Sequence, residues 1–188
     1  LATLEALMWP QMRSFAMAIH SSREAPTPAR ASAAQCSLPP RAAYADTSWE
    51  LLHQKSSYLF GDADDKPWET DLAGYGRAFP HPYGPASGKF FTTRLTLSPA
   101  GDDLTLSFAK ALIDAEQVGQ DEVTDYLSVS FSSTDYVGHL FGPSSLEAED
   151  HQLRLDRTLA GLFAFVDERV GLKNVLVVLS ADHGGPEA

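Results

Sequence analysis

From about position 98 the chain alternates between two hydrophobic periods. In LTLSFAKALIDAEQVG the residues Leu104, Phe108, Leu112 and Ala115 recur at helical spacing, which predicts a helix that Gly119 stops. DYLSVSF, Asp125 to Phe131, alternates and is partly β-branched or aromatic, and so reads as a strand. SSTDYVGHLFGP then reads as a loop. Ser144 and Glu147 form a capping-box pattern that opens a long helix. Along it Leu155, Leu159, Leu162, Phe163, Val166 and Val170 make one apolar stripe, and Gly171 ends it. NVLVVLSA is a nearly continuous apolar run, the pattern of a strand covered on both faces. Helix, strand, loop, helix, strand is the rhythm of an α/β fold with a parallel sheet flanked by helices.

The rest of the chain is less periodic. Residues 1–43 read as an irregular segment, with a helix end in LATLEALMWPQM and a short strand in SFAMAI (Ser14 to Ile19). The Ser-, Ala- and Pro-rich stretch that follows has the composition of a loop or linker. Residues 44–97 read as a loop-rich subdomain in which Trp49, Tyr58, Phe60, Trp68, Tyr75, Phe79 and Tyr83 pack a core or line a pocket. Residues 98–188 are the core α/β segment. The three are read as parts of one incomplete catalytic domain, because the chain opens at Leu1 without Met and stops at Ala188 just past an apolar strand.

Composition narrows the chemistry. With 44% hydrophobic and 10% aromatic residues the chain can bury a core. A formal charge of −11 argues against nucleic-acid binding, which needs a basic face. It is also awkward for an enzyme acting on anionic phosphates unless bound cations reverse the field locally. Cys36 is the only cysteine, so a bound metal must be held by His and carboxylates. There is no apolar run long enough for a membrane span and no signal peptide at the start.

Ligands on open parallel sheets bind beyond the carboxyl ends of the strands. Asp135 and His139, in STDYVGH, follow the first predicted strand; Asp182 and His183, in SADHGG, follow the second. Neighbouring strands would bring the four into one crevice, a suitable ligand set for zinc. Gly138, Gly184 and Gly185 are expected to permit tight turns there. Either pair alone is a weak signal, since DxxxH is common on surfaces and Asp-His after a strand is often only a turn. Their joint placement turns the reading toward metal. His151 and Asp150 are read as lying on the solvated side of the long helix, with orientation of the metal ligands as a further role for Asp150 and Asp156. His53 and His81 are read as loop or packing residues, and Cys36 as inert.

The strings FSSTDYVGHLFGPSS, EAEDHQLRLDRTLAGLFAFVDERVG and VLVVLSADHGG resemble the alkaline phosphatase superfamily. They are most similar to the branch holding PafA-type phosphatases and the nucleotide pyrophosphatase/phosphodiesterases. The resemblance implies a mostly parallel alkaline-phosphatase-like sheet and two zinc ions, one on Asp135 and His139, the other on Asp182 and His183. It implies hydrolysis of a small phosphate ester through a covalent phospho-enzyme, monoester first and diester as the alternative, in an exported, periplasmic protein. The family's Thr or Ser nucleophile and its remaining ligands match no residue here, and Thr134 is read as a structural neighbour of Asp135. A non-catalytic truncated product is the reading from another class. The family's phosphate-contacting Lys-x-Arg would fall where this chain has HSSREAP, which leaves Arg23 as the candidate substrate contact, near His20.

Overall fold

The computed structural model describes residues 17–20, 41–62 and 64–185. The described residues fall into two compact units. One comprises those within 1–39, 103–131 and 159–178; the other comprises those within 40–102, 132–158 and 179–188.

In the first unit strand β1 (Met17–His20) pairs antiparallel with β4 (Tyr126–Val129), in a register that sets Met17 opposite Val129 and His20 opposite Tyr126. Helix α2 (Pro99–Glu116) starts at a proline, which lacks the N–H that a first turn leaves unpaired. Its Phe108, Ala109, Leu112 and Ile113 bury with Leu162 of helix α4 (Leu146–Arg169). Leu127, Val129, Phe131, Phe165 and Val166 pack around them. Gly119, at φ +71°, turns the chain after α2 and donates its N–H to Asp125. Gly171, at φ +83°, closes α4 by donating to the carbonyls of Val166 and Asp167. Both glycines stand where left-handed backbone is required.

Strand pairing departs from expectation. The chain mixes helix and strand as an α/β fold does, but the two pairings among the described residues are antiparallel. A short 3-10 turn at Leu172–Asn174 leads into the apolar run 174–180, which has no strand partner among those residues. Leu176 is 90% exposed. A strand buried on both faces needs a hydrogen-bonded neighbour on its edges and helices above and below, and a pattern of side chains supplies neither.

The second unit holds the paired β2 (Ser48–Trp49) and β3 (His81–Pro82), the helices α1 (Phe91–Thr96) and α3 (Ser133–Phe141), and the first half of α4. Helix α3 replaces the expected loop over STDYVGHLF, and Val137 and Phe141, one turn apart, are its buried face. The chain leaves it at Gly142, φ +88°; Gly138, expected to make a turn, is inside the helix. The start of α4 is also shifted from the sequence reading. Ser145, rather than Ser144, caps it by accepting the Ala148 N–H at 3.0 Å.

Glu147, freed from capping, is fully buried and meets His81 Nε2 at 3.1 Å. Rings surround that pair: His81 lies 5.3 Å from Trp49, 4.9 Å from Tyr75, 4.7 Å from Phe79 and 5.2 Å from Phe141. Asp150 and His151 are corrected as well, for both are buried. The Asp150 carboxylate accepts from Trp49 Nε1, the Leu52 N–H, the Tyr58 hydroxyl and Arg154 Nε. Burial alone would raise its pKa, but these donors together hold it below the usual carboxylate range. No helix among the described residues is long and apolar enough to cross a membrane.

Candidate metal centre

Helix α3 turns the DxxxH spacing into geometry. Residues four apart stand on one helix face, so Asp135 in the first turn and His139 in the last present their side chains together. An acid at the start and an imidazole at the end also suit the helix dipole. Asp135 Oδ1 lies 3.1 Å from His139 Nε2 and 3.2 Å from His183 Nε2. One ligand atom from each of the three lies within 4.8 Å of the others, and the imidazole rings stand 5.5 Å apart. All three side chains are open to solvent, at 40% for Asp135, 55% for His139 and 48% for His183.

His183 is oriented by its own loop. Its Nδ1 is 3.0 Å from the Gly184 carbonyl, so a proton on that nitrogen has an acceptor and Nε2 is the nitrogen turned to Asp135. The same carbonyl, then Asp182 and Asp135, raise its pKa above the ordinary histidine value. Pro143, just beyond α3, lies within van der Waals reach of where a side chain on Gly185 would begin.

Asp182 does not join the three. Its Oδ1 accepts the His183 N–H at 3.1 Å and its Oδ2 lies 3.8 Å from His183 Nε2. His183 thus faces Asp135 more closely than it faces its sequence neighbour. Two imidazole nitrogens and a carboxylate oxygen are the donor types that zinc takes, and the three atoms lie close enough together to line a metal site.

The family comparison decides what kind of protein carries this cluster. The model of the type I phosphodiesterase / nucleotide pyrophosphatase family matches residues 8–188. The chain belongs to that family. Over 142 residues it is 44% identical to the alkaline phosphatase PhoV of Synechococcus elongatus, covering 75% of this chain and 26% of that protein. Over 138 residues it is 44% identical to the alkaline phosphatase PafA of Elizabethkingia meningoseptica, covering 72% of this chain and 25% of that protein. The crystal structure of wild-type PafA superposes with a TM-score of 0.62 at 40% identity, over 68% of this chain and 25% of that one. The chain therefore spans about a quarter of the length of these relatives. Its fold is α/β of the PafA kind.

Other residues singled out in the sequence divide. His81 is a packing residue within the aromatic cluster, as expected, and Trp49, Tyr58, Tyr75 and Tyr83 are core, whereas Trp68 is exposed. Asp156 and His53 are solvent-facing. Arg23 and Cys36 lie outside the described residues, and of His20 only the strand backbone is described. Thr134 Oγ1 is 3.1 Å from His151 Nε2, an engagement that fits its reading as a structural neighbour of Asp135. Sequence reasoning missed Asp102, which is buried beside His151.

Proposed function

We propose that this chain carries the metal ligands of a two-zinc phosphoester hydrolase whose whole protein is an alkaline phosphomonoesterase. The observation that supports it is the approach of Asp135 Oδ1 to both His139 Nε2 and His183 Nε2 in a chain of this family. Asp135 and His139 are assigned to one ion, Asp182 and His183 to the other. Zinc, when bound, would neutralise charge on the phosphoryl oxygens and favour the ionised form of the attacking and leaving oxygens. The chain's own residues do the positioning. Helix α3 holds Asp135 and His139 one turn apart, and the Gly184 carbonyl accepts from His183 Nδ1, which would leave Nε2 as the nitrogen to hold an ion.

The nucleophile is assigned to neither Thr134 nor any other residue here. The family resemblance implies a Thr or Ser that forms a phospho-enzyme. The 188-residue chain alone is accordingly expected to show little phosphatase activity. Substrates are small phosphate esters, met in an exported, periplasmic setting. The family's own description favours phosphodiesters as the second reading. Comparing an aryl phosphate monoester with the matching diester on the whole enzyme separates the two. For the chain itself, calorimetric titration with zinc should give binding of which Asp135→Ala removes the part shared with His139, leaving the Asp182–His183 pair able to hold the other ion. Tight binding that survives loss of both His139 and His183 would overturn the assignment.

A further inference from the structure

Helix α3 carries two of the proposed ligands, yet its first turn has no cap of its own: Ser132, the residue before it, makes no side-chain capping bond. The cap comes from another helix. Asp102 of α2, 1% exposed, accepts the Ser133 N–H through Oδ1 at 3.3 Å. This sets a buried carboxylate against the positive end of α3. His151 of α4, also 1% exposed, completes the arrangement. Its Nε2 is 3.1 Å from Thr134 Oγ1 with hydrogen-bonding geometry. The same atom is 3.1 Å from Asp102 Oδ2, within ion-pair range although Oδ2 makes no hydrogen bond of its own.

The Asp102 carboxylate beside Nε2 favours the tautomer with its proton there, which leaves the unpartnered Nδ1 without a hydrogen. With the proton on Nε2, that N–H donates toward Thr134 beside the carboxylate, and Nδ1 is a bare acceptor. The opposite tautomer would bury an unpaired N–H, the costlier arrangement. Residues 133 and 134 are thus held by two side chains from two different helices, immediately before Asp135. Buried polar groups that serve only packing are easily replaced by apolar ones of the same shape, whereas this pair converges on the turn that aims a proposed metal ligand.

We infer that Asp102 and His151 are positioning residues that clamp the first turn of α3 and thereby fix the direction of Asp135 toward His139 and His183. The metal half of this inference rests on the reading of the cluster as a metal centre; the clamp itself does not.

The test uses the purified 188-residue chain and the variants Thr134→Val, Asp102→Asn, His151→Leu and His151→Gln. Thr134→Val is nearly isosteric and keeps the test open should another variant fail to fold. In the metal-free chain, amide hydrogen exchange at residues 133–136 should accelerate at least tenfold in Thr134→Val and His151→Leu. The second half of α4 should stay as protected as before. His151→Gln, which restores a donor, should recover part of the protection. Titration with cobalt, read by its visible absorption, should then show about 10- to 100-fold weaker binding and a changed spectrum in His151→Leu, the range typical of lost ligand-orienting contacts. Unchanged exchange at 133–136 would overturn the clamp. Faster exchange with unaltered cobalt affinity and spectrum would overturn its link to Asp135. A parent chain that binds no cobalt would instead overturn the metal reading, while the exchange data still decide the clamp.

Discussion

The two units bury different chemistry. One core is aliphatic and aromatic: Phe108, Ala109, Leu112, Ile113 and Leu162, with Leu127 and Val129 of β4 against them. The other buries Asp102, Glu69, Glu147, Asp150, His81 and His151 among rings. An apolar core tolerates change in proportion to the surface and volume removed. A polar one depends on partners, because each buried donor or acceptor left alone costs its full desolvation. The second unit therefore concentrates its stability in a few residues, and the proposed metal ligands stand in that unit.

The largest effect expected on this contrast is at Asp150. Asp150→Ala strands the indole N–H of Trp49, the Tyr58 hydroxyl and the Leu52 N–H, and should cost about 4–5 kcal/mol in denaturant unfolding followed by tryptophan fluorescence. A cost under about 1 kcal/mol would show that water replaces the carboxylate easily.

Leu112→Ala in the apolar core comes next, at about 3 kcal/mol, without a pH dependence of its own. If it proved costlier than Asp150→Ala, the contrast between the units would be reversed.

The smallest effect sharpens the comparison through pH. Burial, countered in part by the Lys66 N–H and reinforced by Glu147, Asp64 and Asp65, raises the Glu69 carboxyl to about 7. The folded chain thus holds this proton more tightly than the unfolded one. The stability it contributes is complete below the ordinary value of 4.5 and is lost as pH rises through 7. Glu69→Gln, which keeps an acceptor for Lys66, should be neutral at pH 4 and stabilising by about 2 kcal/mol at pH 8. Parallel stability–pH curves for the two proteins would refute the shift.

How much could be read in advance follows the same division. The second half of α4 was legible because Leu155, Leu159, Leu162 and Val166 share one stripe. Continued backward at the same spacing, that stripe passes through His151 and Glu147, so their burial had a signal that their polarity hid. Helix α3 was read as a loop because its apolar positions, Val137 and Phe141, are too few for a period to stand out. Asp135 and His139 could nevertheless be paired from the sequence, since their spacing of four serves a helix as well as a loop.

The sequence by itself determined the two long helices with their glycine stops, the strand at 126–129 and the family, and it singled out Asp135, His139 and His183, which the fold brings together. These depend on local periods, on backbone freedom and on short strings, all of which are properties of neighbouring residues. Tertiary structure alone decided that His183 turns to Asp135 rather than to Asp182, that Asp150 is a buried acceptor for four donors, and that Asp102 caps a helix 31 positions away. A polar side chain becomes core only when distant donors reach it, and the strand pattern at 174–180 becomes a strand only when a neighbouring edge pairs with it. Each needs a partner far off in the chain, which no local pattern specifies.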